Sequence, residues 1–172
     1  ILDFFTSLRN DNHYKDKSVG ILSFFNAQAS YIRELFEAAG LKEERDNYKI
    51  SIIEGIQGDE KDIIVYSLVL RGPEHKRRYL PLTGEGGDIR ADVNRGRVNV
   101  AFSRARLQVH CFLSIPVQQI PEGIWLKKYL VHAEQYGKVS VHSTETKPFD
   151  SKFEEEFHAT AGRHLKDGYK IQ

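Results

Sequence analysis

The sequence predicts an α/β fold: a three-layer parallel sheet with helices on both faces, and a helical appendage at the C-terminal end. Three observations predict it. Several short runs, such as residues 19–25 and 63–70, are almost continuously apolar, as strands buried on both faces are. Between them lie segments whose apolar residues recur at i, i+3, i+4 and i+7, the pattern of a helix with one packed side. The two kinds of segment alternate along the chain, as strands and crossover helices do in a parallel sheet.

Each element has its own signal. Residues 1–9 read as the end of a helix, with Leu2, Phe5 and Leu8 on one side, and residues 10–17 as a polar loop. Residues 19–25 form the first strand. Asn26 is placed to cap the next helix, whose apolar face is Ile32, Leu35, Phe36 and Ala39, and Gly40 is placed to end it. Residues 48–53 and 63–70 are the second and third strands. Residues 71–90 hold Pro73, Pro81, Gly84, Gly86 and Gly87 among many charges and read as a long surface loop. Asp92 can cap a helix running to about Arg106, and residues 107–113 are the last strand. Pro116 and Pro121 mark a connector. Residues 123–136 form a helix with Ile124, Leu126, Tyr129, Leu130 and Ala133 inward. From Thr144 the character changes: a polar linker, a helix start near Ser151, and a strand-like ending. The division falls into residues 1–143 and 144–172. Ligands of such folds bind at the carboxyl ends of strands, which directs attention to the loops after Phe25, Ile53 and Leu70, and to the helix entering the last strand.

Composition narrows the function classes. With 172 residues, 40% of them apolar and 28% charged, the chain is of ordinary globular make-up. A net charge of +1 means that any nucleic-acid site is a local patch. Seven histidines without clustered cysteines give no metal-ligand spacing. The single cysteine, Cys111, forbids an internal disulfide, reads as a buried structural thiol, and fits a reducing cytosol, hence a cytoplasmic protein. No membrane-spanning run is visible. The chain opens at Ile1 and contains no Met, which reads as a segment of a longer protein.

Chemistry concentrates in residues 97–106. On a helix, Arg97, Ala101 and Arg104 lie one and two turns apart on one face. A small residue between two arginines leaves room for a ligand or a neighbouring domain, and the guanidinium fork suits phosphate. Taken alone, such a face is more simply a solvated basic surface. The run Arg97, Val98, Asn99, Val100, Ala101, Phe102, Ser103, Arg104, Ala105, Arg106 resembles motif VI of superfamily 1 helicases, in particular the branch of the nonsense-mediated-decay helicase and its DNA-processing relatives. The resemblance implies the second RecA-like domain of such a motor. It gives Arg104 the catalytic role of the finger that reaches the ATP γ-phosphate, and Arg97 a supporting phosphate contact. Gly96 stands where the family often has a further arginine.

Two more segments carry the resemblance. Gln57, Gly58, Glu60 and Asp62, ahead of an apolar strand, resemble motif V and imply ATP contacts by Gln57, Gly58 and Glu60. Read by themselves they make a polar turn. The family's nucleic-acid-contacting hydroxyl near the start of this motif is replaced by Ile52, which leaves Ser51 as the nearest candidate. Residues 19–28 resemble motif IV, with Phe25 and Gln28 as nucleic-acid contacts, although Phe24 and Phe25 read equally as core. The implied partners are single-stranded nucleic acid, with DNA preferred and RNA left open, and the first RecA-like domain of the same chain. The implied cofactors, ATP and Mg²⁺, would be held mainly by that first domain, because no Gly-x-x-x-x-Gly-Lys-Ser/Thr loop occurs here; this segment alone is expected to be inactive. Lys76, Arg77 and Arg78 could join the nucleic-acid track, though a solvated loop explains them too.

At the C-terminal end, Ser151 and Glu154 fit a capping box. They also resemble the opening of very-short-patch-repair and restriction-endonuclease domains, in which Glu154 would sit on the first nuclease helix and which suggests DNA repair. Other readings are an ATP-sensing module of a non-translocating NTPase, or a nucleic-acid-binding scaffold.

Overall fold

The computed structural model describes residues 1–43, 47–70, 96 and 98–140. Arg97, the loop bearing Lys76, Arg77 and Arg78, the Asp92 cap, and Ser151 and Glu154 all lie outside the described residues. The chain divides into two compact units, Ile1–Gly137 and Lys138–Gln172, and the first carries all the described elements.

Helix α1 (Leu2–Asn10) leads into strand β1 (Val19–Ser23), helix α2 (Asn26–Ala38) and strand β2 (Tyr48–Ile52). A 3-10 turn (Ile53–Ile56) follows, then strand β3 (Lys61–Leu68). Helix α3 is described at residues 96 and 98–102 and runs into strand β4 (Ala105–Leu113). Another 3-10 turn (Val117–Gln119) and helix α4 (Trp125–Tyr136) complete the unit. The strands form one parallel sheet in the order β2-β1-β3-β4. The chain therefore steps from β1 outward to β2, then crosses back to the other side of β1.

Alternation of side chains on the strands builds two cores. Val19, Ile21, Tyr48, Ile50, Ile63 and Val65 pack beneath Phe5 and Leu8 of α1 and Ile32 and Phe36 of α2. On the opposite face Leu22, Ile64, Tyr66 and Leu68 meet Ile53 and Ile56, Val98 and Ala101 of α3, and Leu126 and Leu130 of α4. Helical elements thus cover both faces, giving the three-layer α/β arrangement that a RecA-like fold requires.

Several local expectations shift. Asn26 opens α2 rather than capping it; the cap position is Phe25, whose N–H is taken by Ser23 Oγ at 3.2 Å. The buried face of α2 is Ala29, Ile32 and Phe36, with Leu35 and Ala39 turned outward. Gly40 does end the helix: its φ is 76°, and Leu41 N–H reaches back to Phe36 O at 2.9 Å, satisfying a carbonyl the helix end leaves open. The largest shift is at α3. Its helical turn gives out after Phe102, and Ala105 already pairs with Lys61 in the sheet. Pairing with β3 overrides the helix propensity of residues 103–106.

Candidate functional site

The motif residues gather at the amino end of β3 and β4. The turn after Ile56 is closed by Gln57 N–H to Glu54 O at 3.2 Å and Asp59 N–H to Ile56 O at 2.9 Å. Gly58 adopts φ 80°, with nothing near where a Cβ would be, so its backbone faces open space. Lys61, buried at the start of β3, donates its backbone N–H to Arg104 O at 3.1 Å. Its ammonium, like that of Lys49, leans on Asp59, at 3.5 and 3.9 Å. Arg106 Nε lies 3.3 Å from Glu60 Oε2. One backbone bond thus sets the Gln57–Gly58–Glu60 turn beside Arg104.

Arg104 does not lie on a helical face. It sits in the turn after α3, its N–H on Ala101 O at 3.3 Å and its Nε on Val100 O at 3.1 Å. Among the described residues that is the hydrogen bond of its side chain, which is half-buried. Below this turn Ser18 and Asp62 join β1 to β3: Asp62 Oδ2 accepts from Ser18 N at 2.9 Å and Oγ at 2.8 Å. The backbone N–H of Ser18 is the main cause holding the Asp62 carboxyl below its usual range.

The carboxyl ends of the strands present a different arrangement. Here β1 and β3 are neighbours although the chain leaves them in opposite directions, the place where open α/β sheets form a crevice. Gln28 fills it. Ser23 Oγ donates to Gln28 Oε1 at 3.0 Å, and Gln28 Nε2 donates to Ser67 Oγ. Phe25 packs partly against the core beside Leu22. Ser51 points its hydroxyl at Gly55, where a Cβ would come within 2.0 Å. The polar groups of Gln28 are therefore engaged within the fold, and the Ser51 hydroxyl lies close over Gly55. Motif V, in the passage after Ile53, and motif VI, at the entry to the last strand, both lie at the amino ends of β3 and β4, because the chain crosses the face after β2.

The sequence matches the AAA domain family over residues 1–113. The chain belongs to the AAA-domain family. Within the family it is a superfamily 1 helicase-like domain, since its curated relatives are helicases. It is 30% identical over 124 residues to the DNA polymerase alpha-associated DNA helicase A of Saccharomyces cerevisiae, covering 72% of this chain and 16% of that protein. An uncharacterized ATP-dependent helicase of Mycoplasma genitalium is 32% identical over 118 residues, 61% of this chain and 10% of that protein. Its homologue in Mycoplasma pneumoniae is 31% identical over 109 residues, 56% of this chain and 9% of that protein. The chain spans under one fifth of the length of each.

In this AAA domain the structure brings together Gln57, Gly58, Glu60 and Arg104 and keeps Phe25, Gln28 and Ser51 at the other end of the sheet. Sequence reasoning missed Lys61, Arg106 and Tyr66, which join β3 to the Arg104 turn; Tyr66 Oη donates to Ala101 O. It also missed Ser23 and Ser67, hidden inside apolar strands. A hydroxyl late in each of two buried strands is the signal that could have found them. Cys111 is half-buried, and burial pushes its thiol up to about 12, as for an unreactive core cysteine.

Proposed function

We propose that this domain is the second RecA-like motor domain of an ATP-dependent superfamily 1 helicase, acting on single-stranded DNA. One observation carries the reading: the Lys61–Arg104 backbone bond sets a cation beside an open glycine turn at a single end of the sheet. The donors fit an anionic phosphate end, since Arg104 offers its terminal nitrogens and Gly58 an unobstructed backbone. ATP, with Mg²⁺, supplies the phosphoryl group whose transfer to water drives the motor. Arg104 neutralises charge that grows in the transition state, and Glu60 accepts hydrogen bonds at the same edge. The name of the yeast relative favours DNA over RNA. The Asn99, Val100, Ala101 run supports the nonsense-mediated-decay-helicase branch, and Ser151 with Glu154 supports an endonuclease-like segment to follow.

A finger of this kind is worth about 10³- to 10⁵-fold in rate, or roughly 4 to 7 kcal/mol. In the full-length protein Arg104→Ala is expected to abolish steady-state ATP turnover while sparing nucleotide binding. Wild-type turnover in that variant would remove the assignment.

A further inference from the structure

We propose that the Tyr66 hydroxyl is a positioning group for Arg104, holding the turn that aims its guanidinium. The inference rests on the reading of Arg104 as the phosphate-facing cation. Tyr66 is fully buried on β3, in a core whose other buried residues are Leu, Ile, Val, Phe and Ala. A phenol there needs a partner, since a buried polar group without one is costly. Its partner is the carbonyl of Ala101, one of those that a helix end leaves without an intrahelical donor. Ala101 is itself fully buried, so water cannot replace the phenol.

The same carbonyl accepts the Arg104 N–H, at a long 3.3 Å. Arg104 O accepts the Lys61 N–H, so β3 grips the arginine backbone twice: directly at Lys61, and through Ala101 at Tyr66. The side chain shares the turn, because Arg104 Nε is bonded to Val100 O, which also accepts Ser103 Oγ at 3.2 Å. Phe102 closes the arrangement, its ring 4.7 Å from Tyr66 and stacked on Tyr129 at 3.6 Å. Without the hydroxyl, Ala101 O keeps one weak donor and the end of α3 is free to shift. Displacements of about 1 Å at a catalytic group cost up to roughly 10²-fold in rate.

The test is steady-state ATP hydrolysis by the full-length protein, with thermal midpoints measured alongside. Tyr66→Phe keeps the ring and removes the hydroxyl. It is expected to lower kcat by about 10- to 100-fold with KM for ATP little changed. Phe5→Leu, on the opposite face, lowers the midpoint without touching the turn and should retain kcat. Wild-type kcat in Tyr66→Phe, with Arg104→Ala inactive, overturns the inference, as does an equal loss of kcat in Phe5→Leu at a matched midpoint. Full turnover in Arg104→Ala instead overturns the underlying reading. Should Tyr66→Phe not fold, Phe102→Leu, which removes the stack on the same turn, carries the same expectation and the same refutation.

Discussion

The proposed reading of Glu60 as a nucleotide contact sets it apart from a second polar pair at the amino end of the sheet, and substituting each tests the difference. Glu60 and Arg106 meet through one contact at 3.3 Å, with 51% and 57% of the respective side chains exposed. Solvent screening and the entropy of fixing two long side chains leave such a pair worth about 0.2–1 kcal/mol. Taking about 0.5 kcal/mol, and roughly 3–5 °C per kcal/mol for a domain of this size, Glu60→Gln should move the midpoint by about 2 °C. Ser18 and Asp62 share three hydrogen bonds, two onto the carboxylate and a third from Asp62 N–H to Ser18 Oγ at 3.0 Å. Ser18→Ala removes two of them and strips a partner from the Asp62 N–H at a part-buried site, which should cost about 1–3 kcal/mol. Thermal unfolding by circular dichroism measures both. ATP turnover by the full-length protein should reverse the order, with Glu60→Gln impaired and Ser18→Ala near wild type. A midpoint loss in Glu60→Gln equal to that in Ser18→Ala would refute the division between a ligand-facing carboxylate and a fold-holding one.

Two further outcomes follow from other parts of the fold. His110, half-buried on β4 against the Phe4 ring at 4.6 Å, is held below the usual histidine value of 6.5 by burial. The unfolded chain then binds its proton first as pH falls, so stability should be constant above that value and decline below it, by at most about 1.4 kcal/mol per pH unit. Urea unfolding across this range should show the decline, and His110→Gln should flatten it; an unchanged slope would count against the assignment. At the outer edge of β2, Ile50 N–H donates to Glu43 Oε1 at 2.7 Å and Ile50 O accepts Arg33 Nη2 at 2.9 Å, while the two side chains pair at 3.5 Å. These side chains occupy the backbone groups an incoming strand would use. Arg33→Ala/Glu43→Ala should associate with rising concentration in light scattering, and a variant as monodisperse as the parent would rule out the guard role.

The fold was legible where a single period dominated. Apolar runs located β1, β2 and β3 to within two residues at either end, because strands buried on both faces have little choice of residue. Gly40 was legible for a local reason, since its backbone conformation excludes side chains. The boundary at α3 was not. Ser103, Arg104, Ala105 and Arg106 suit a helix, and what makes them turn and strand is the bond from Lys61 and the pairing of Ala105, more than 40 positions away in sequence. The face of α2 was only partly legible: Leu35 has the spacing of a core residue but stands beyond the reach of the sheet, 40% exposed.

The same distinction governs the candidate site. Motif spacing named Gln57, Gly58, Glu60 and Arg104, but spacing is blind to which end of a sheet a residue occupies. That depends on how the chain returns after β2. A long helical crossover would leave the next strand's approach free, whereas here residues 53–60 must carry the chain from the carboxyl edge to the amino edge in one short passage over Gly20. A Cβ at Gly20 would lie 2.7 Å from Ile64 Cδ1 and 3.2 Å from Ile56 Cδ1, so the passage lies close against β1 because that position has no side chain. The closeness has a consequence for chemistry. A turn pressed onto the sheet has little freedom of its own, and Glu60 and Gly58 are presented from a fixed base rather than a loose loop. The Arg104 backbone is tied to that same base through the Lys61 N–H, so the turns bearing Glu60 and Arg104 share one backbone anchor. Preorganisation of this kind makes electrostatic groups effective, because nothing has to be rearranged as charge develops.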